Sequence, residues 1–302
     1  MYRLGLNTGF AVNRFAEPKE WTKVFKVLDV KYAQFTADLL NVSLPDKIII
    51  KQSNLINEYC KINDVNIRSA FTGAFTRVNH LAHPNKEIRE YWVDWFKRYI
   101  DLAVDIGAKA IGSHLGILTE KDDSDSSRRE EREEQNIECW HRIAQYAKKK
   151  GMDFITWEPM SISREYGHTI LETEILNQKL NKSSPLPFKI CLDLDHGDQT
   201  SNHADNGNPY KWLDKFADIS PQIHLKQSMY GNPNSNYPFI KEYNEKGRID
   251  GKSVISLLNK KKILDVDLIL ELSFKERNPI DKLVIEHLKE SVQYWKKFIP
   301  NT

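Results

Sequence analysis

The 302-residue sequence predicts an α/β protein folded as a single (β/α)8 TIM barrel across residues 1–302. Three observations carry that expectation. Short apolar, β-branched or aromatic runs alternate with longer stretches of helical period. Eight such runs occur in 302 residues, a repeat of about 38, within reach of the size of (β/α)8 barrels. Each run is followed by a plausible helix, so the pattern is βα repeated rather than strands grouped together.

The strand-like runs begin near Arg3, Lys31, Asn66, Ala108, Asp153, Phe188, Gln222 and Asp267. The turn after the first, Asn7-Thr8-Gly9-Phe10-Ala11, lacks the G-x-G-x-x-G and P-loop signatures that a doubly wound nucleotide-binding sheet usually carries. After the third run, Pro84 precedes a long helix from about Lys86 to Ile106. Its Ile88, Trp92, Trp95, Phe96, Tyr99, Leu102 and Ala103 follow helical spacing and are expected in the core. After the fourth, Ser127 and Glu130 read as a capping box. Glutamates early in that helix, Lys148–Lys150 late and Gly151 beyond all suit the helix dipole and a C-terminal turn. The charged block is therefore a solvated helix face, and Lys260–Lys262 reads the same way.

Composition narrows the function classes. The chain is 40% hydrophobic and 28% charged, as expected of a globular protein. Lys plus Arg is 44 against 42 for Asp plus Glu, a net charge of +2, which argues against a dedicated nucleic-acid binder. Cys60, Cys139 and Cys191 are too few and scattered for a disulfide framework or a zinc cluster. No apolar run reaches the ~18 residues of a membrane helix, and the mean hydropathy is −0.57. The first twenty residues, with Arg3, Arg14, Glu17, Lys19 and Glu20, do not form a signal peptide. A cytoplasmic protein in a reducing compartment is expected. A homo-oligomer is compatible with the sequence but not specified by it.

Chemistry in such a barrel sits at the C-terminal ends of the strands. Strand five ends on Glu158, and strand six on Asp193, two residues before Asp195. Strand seven contains His224 and Lys226, and strand eight ends on Glu271. Singly, each carboxylate reads as a solvated group or a helix cap, and His224 as a core histidine. Together, four consecutive strand ends converge on one mouth, where unpaired carboxylates would repel and resist desolvation. One divalent cation resolves the conflict. Three carboxylates and an imidazole suit Mn²⁺, Co²⁺ or Mg²⁺, and Zn²⁺ is also accommodated. Asp193 and Asp195 share a face by strand alternation, so periodicity does not choose between them.

Four segments resemble the xylose-isomerase-like superfamily of sugar isomerases, epimerases and relatives. They are Trp157-Glu158-Pro159, Leu192-Asp193-Leu194-Asp195-His196-Gly197, Ile223-His224-Leu225-Lys226 and Ile269-Leu270-Glu271-Leu272. The resemblance covers the chain in strand order and spacing. It implies Glu158, Asp193, His224 and Glu271 as metal ligands, with Asp193 favoured over Asp195 by its spacing to His196. It implies catalytic roles for Glu158, Glu271 and His196. His196 would bind or protonate a substrate oxygen, and His114 resembles a site histidine beyond the ligands. Lys226 would neutralise a site carboxylate or hold a substrate oxyanion, and Arg164 would join the pocket or pair with Glu165 at the surface. No phosphate-cradling motif stands out, although Lys226 or Arg248 offers a cation.

Two positions depart from the ketose 3-epimerases of that superfamily. Their Asn-Arg-Phe-Glu-like stretch after the strand-five glutamate is replaced here by Pro159-Met160-Ser161-Ile162-Ser163-Arg164-Glu165-Tyr166. Tyr230 stands where they place a substrate-binding arginine. The sequence expectation is accordingly a metal-dependent aldose–ketose isomerase acting on a small sugar or sugar derivative, by an enediolate or a hydride shift. The alternatives are a ketose epimerase or a polyol-ketone dehydratase on the same site. An apurinic-site endonuclease carries less weight, since it needs a metal cluster and a basic crescent, with His80, His83 and His114 as the spare ligands. A non-catalytic sugar-binding barrel would have little reason to converge three carboxylates and a histidine.

Overall fold

The computed structural model describes residues 1–230, 232–274 and 281–299. Its strands are β1 (Tyr2–Asn7), β2 (Tyr32–Thr36), β3 (Asn66–Phe71), β4 (Ala110–His114), β5 (Phe154–Glu158), β6 (Phe188–Asp193), β7 (Gln222–Leu225), β8 (Gln227–Met229), β9 (Asn232–Tyr237) and β10 (Val266–Leu270). Eight of them close a parallel barrel in the order β1-β10-β7-β6-β5-β4-β3-β2. These are the eight runs read from the sequence. The remaining pair, β8 and β9, forms an antiparallel hairpin after β7 that the sequence did not announce.

The helices fall between the barrel strands as the βα repeat requires. They are α1 (Pro18–Val27), α2 (Asp46–Asn63), α3 (Lys86–Asp105), α4 (Glu120–Asp123) and α5 (Ser126–Lys149). Then come α6 (Ile170–Asn181), α7 (Pro209–Phe216), α8 (Lys241–Asn244), α9 (Gly251–Lys260) and α10 (Val284–Lys296). None of the described helices is long and apolar enough to cross a membrane.

Local chemistry sets the helix ends. The Asn85 side chain accepts from Glu87 N and opens α3, whose Val93, Trp95, Phe96 and Tyr99 are buried against the barrel. Helix α5 begins before the expected Ser127 box. Asp125 is its cap, and the carboxylate accepts from both Ser127 N and Arg128 N at 3.0 and 3.1 Å. A carboxylate at that position satisfies two orphan donors and meets the positive end of the dipole, so it outcompetes a hydroxyl two residues later.

The space between strands and helices is apolar and continuous, with Trp21, Trp140, Trp157, Trp212 and Trp295 all buried. Inside the barrel the packing is partly polar. Gln34 of β2, Ser69 of β3 and Gln222 of β7 are fully or almost fully buried and bonded to one another, the first link being Gln34 Nε2 to Gln222 Oε1 at 3.4 Å. This layer lies beneath the strand ends that carry the site.

Candidate active site

Barrel closure brings the four predicted strand ends together. Asp193 and His224 are register partners across β6 and β7, and Glu158 ends β5. Glu271 directly follows β10, rather than ending the strand itself. One ligand-type atom from each of Glu158, Asp193, His224 and Glu271 lies within 4.8 Å of all the others. Asp193, His224 and Glu158 are buried and Glu271 is half-buried. Asp195 lies outside this group. It sits in the turn beyond β6, and its backbone N–H donates to Asp193 Oδ1 at 2.8 Å.

His224 is the centre of the cluster. Its Nδ1 is 2.8 Å from Glu158 Oε1 and 3.2 Å from Glu271 Oε2. On the other side of the ring, Nε2 is 2.8 Å from Gln34 Oε1. The Gln34 amide is itself oriented: Asn7 Nδ2 donates to the same oxygen at 2.7 Å, while Asn7 Oδ1 accepts from Gly9 N. That chain makes Gln34 an acceptor toward the ring, so Nε2 carries a proton, and Nδ1 is the nitrogen left to offer its lone pair to an ion held by the carboxylates. Cys191 Sγ also approaches Nε2, at 3.2 Å. Burial pushes its thiol up to about 11, so it is protonated.

Electrostatics bind the cluster further. Lys226, just past β7, pairs with Asp193 Oδ2 and with Glu271 Oε2, the latter at 2.9 Å. Burial disfavours the Lys226 ammonium, but Asp193 and Glu271 outweigh it and hold its pKa well above the ordinary value. Burial likewise opposes ionisation of Glu271, yet His224 and Lys226 keep its carboxyl well below the usual range. Burial opposes protonation of His224 too, but Cys191, Glu271 and Glu158 outweigh it and raise its pKa well above the ordinary value, so Nδ1 also carries a proton, directed at the carboxylates, until an ion displaces it. Of the two roles open to Lys226, the geometry provides neutralisation of site carboxylates.

His196 stands beside Asp193, its Nε2 3.2 Å from Asp193 Oδ2 and its Nδ1 3.0 Å from the Pro159 carbonyl oxygen. Asp193 Oδ2 is fully enclosed and is charge-paired with Lys226 and His196. Three carboxylates and one imidazole converging within 4.8 Å form an O,O,N,O donor set that fits a divalent cation.

A cavity of about 580 Å³ opens above the cluster, the size of a small-molecule site. Glu158, Glu271, His196, Lys226 and His114 line it. Arg164 does not. Its side chain is exposed and Nε donates to Leu118 O at 3.0 Å, so the expected pocket role is withdrawn. Glu165, its neighbour, is buried at the cavity wall and pairs with Arg77 at 2.8 Å rather than with Arg164. Arg77 was not singled out in the sequence because it follows β3 without any motif. Tyr230 is 81% exposed, and Arg248 is buried away from the cavity, 3.9 Å from Asp195. His80 and His83 do not line the cavity, and among the described residues neither they nor His114 joins a candidate metal group, so the extra ligands of the endonuclease reading are not brought together.

Known proteins share this architecture. The family model described as "Xylose isomerase-like TIM barrel" matches residues 43–297. A D-erythrulose 1-phosphate 3-epimerase of Brucella abortus is 38% identical over 298 residues, covering 98% of this chain and 96% of that one. Among solved structures, a protein provisionally described as a xylose isomerase, from Rhodospirillum rubrum, superposes with a TM-score of 0.90 at 22% identity. That match covers 99% of this chain and 100% of the other. A D-psicose 3-epimerase from Clostridium cellulolyticum gives 0.73 at 12% identity, covering 98% and 99%. At those identities the two structures speak for the fold alone. The family match and the 38% identical relative place the chain further: it belongs to the xylose isomerase-like TIM-barrel family.

Proposed function

We propose that the protein is a metal-dependent ketose epimerase acting on a short ketose phosphate, of the type D-erythrulose 1-phosphate, and inverting C3. One observation carries the reading. Glu158 and Glu271 reach His224 Nδ1 from strands on either side of the β6–β7 pair, so two carboxylates can attend one substrate carbon. Aldose–ketose isomerisation moves a proton between adjacent carbons and can use one base. Epimerisation removes a proton from one face and returns it to the other, which calls for two groups. The relative that is 38% identical over nearly the whole chain bears an epimerase name, which favours this alternative over the isomerase expected from the sequence.

Glu158, Asp193, His224 and Glu271 would hold the divalent ion. When bound, such an ion supplies a Lewis acid for carbonyl and hydroxyl oxygens and stabilises developing negative charge. The rest falls to the chain's own residues. One glutamate takes the C3 proton, and the C–H electron pair moves into the C2–C3 bond to give an enediolate. The other glutamate delivers a proton to the opposite face, and the carbonyl returns to C2. His196, oriented by Pro159 O, hydrogen-bonds a substrate oxygen, and Lys226 balances the charge of Asp193 and Glu271.

C3 is the only stereocentre of a ketotetrose 1-phosphate, so its inversion gives the mirror image and ordinary NMR does not register it. Polarimetry does. With Mn²⁺ present, the optical rotation of D-erythrulose 1-phosphate decays to zero, and in D₂O the C3 proton signal disappears. An optical rotation that stays constant, with the C3 proton signal retained in D₂O, refutes the epimerase reading.

A further inference from the structure

The cavity contains a second group of polar side chains, outside the metal cluster. His114 ends β4 and is 2% exposed. Neither ring nitrogen has a hydrogen-bond partner among the described residues, although the side chain lines the cavity. Burial, reinforced by the nearby Arg77 charge, pulls its pKa down to about 3.

Arg77 is carried on a clamped segment. Asp38 accepts from Phe75 N and Thr76 N at 3.0 and 2.9 Å, and from Thr76 Oγ1 at 2.6 Å. Asn79 Nδ2 donates to the His114 carbonyl oxygen at 3.1 Å, tying the same segment to the end of β4. Glu165 engages Arg77 through Nη1 alone among the described residues. The other cavity cations are more fully committed. Lys226 pairs with Asp193 and Glu271, and Arg14 bonds Asp281 and the Phe274 carbonyl oxygen.

We propose that Arg77 and His114 form the subsite for the substrate's phosphate. The assignment rests on the ketose-phosphate reading above and adds the residues that select for it. Position supports it: His114 and Glu158 are register partners on adjacent strands, so one strand spacing of about 4.8 Å separates this subsite from the cluster. The phosphorus of a ketose 1-phosphate lies three bonds from the carbonyl carbon, a matching reach. The Arg77 fork supplies the charge-assisted donors a phosphate takes, and the His114 ring, in the same cavity wall, offers a nitrogen to hydrogen-bond it.

Two measurements test this independently of each other. The first is the ratio of kcat/KM for erythrulose 1-phosphate to that for free erythrulose. In Arg77→Met the ratio falls about 10- to 100-fold, as expected for one lost charge-assisted contact, and Arg77→Lys recovers part of it. The second is binding of inorganic phosphate by calorimetry, which weakens by a similar factor in Arg77→Met and less in His114→Phe. Thermal melts confirm folding. A ratio unchanged in Arg77→Met, or one that falls in Arg14→Met instead, overturns the subsite while leaving the epimerase intact. Phosphate bound through Arg77 with no turnover of any ketose phosphate supports the subsite and overturns the epimerase.

Discussion

Replacing Gln34 with leucine tests whether the barrel interior orients His224, the histidine of the proposed metal cluster. Leucine keeps the volume but removes the oxygen that accepts from both Asn7 Nδ2 and His224 Nε2. Both donors are buried, His224 completely and Asn7 almost so, and water does not easily replace the lost acceptor. Each orphaned donor costs about 1–3 kcal/mol, so the variant loses roughly 2–6 kcal/mol before the gain from burying leucine is counted. The functional effect is separate. Without Gln34 the Nε2 proton has no acceptor, so the neutral ring no longer favours the tautomer that leaves Nδ1 free to meet an ion beside Glu158 and Glu271. Losses of this kind in an outer-shell partner weaken metal affinity about 10- to 100-fold. Mn²⁺ affinity is read by competition with a chelator, and stability by urea denaturation of the metal-free protein. Affinity within twofold of wild type in a destabilised Gln34→Leu protein would refute the orienting role and reduce Gln34 to filling.

Glu158→Gln and Glu271→Gln should each weaken Mn²⁺ binding strongly in the same titration; unchanged affinity in both would dissolve the proposed ligand set. The pair formed by His168 and Glu172, 2.5 Å apart, gives a pH signature. The Glu172 hydrogen bond raises the His168 pKa above its ordinary 6.5, against burial. A raised histidine contributes stability that is complete below about pH 6.5 and lost as pH climbs through the folded-state value. His168→Ala should therefore cost more stability at about pH 6 than at about pH 9 in urea melts, and an equal cost at both would contradict the assignment.

The fold was legible because the eight barrel strands are apolar runs at near-regular spacing, and the convergence of their ends is a consequence of closure. Glu158, Asp193, His224 and Glu271 could be read for the same reason: each sits at or next to a strand end, where topology alone fixes proximity. Gln34, Asn7 and Arg77 could not. Gln34 interrupts a strand in the way a solvent-facing residue does, and only closure turns that position inward. Arg77 acquires its place from Asp38 and Asn79, contacts between three different strand ends that leave no local pattern. The hairpin of β8 and β9 was missed because Lys226 was read into strand seven, which ends at Leu225.

The isomerase expectation turned on two sequence departures, and the structure places neither Arg164 nor Tyr230 in the cavity. The stretch after Glu158 was read for Arg164, the more conspicuous residue, but the chain turns so that Glu165 meets the cavity wall and Arg164 faces outward. Tyr230 was read as a missing arginine, yet it is exposed on the turn that follows β8, while a different arginine, Arg77, reaches the cavity from β3. A cationic group can enter a barrel mouth from any of eight loops, so its absence at one fixed offset says little about the chemistry. What separates the two reactions is how many bases attend one carbon, and from which sides. That is a property of strand order: β5 and β10 flank the β6–β7 pair that supplies Asp193 and His224. Glu158 and Glu271 can therefore stand on opposite sides of one substrate carbon, the arrangement that the proposed inversion requires.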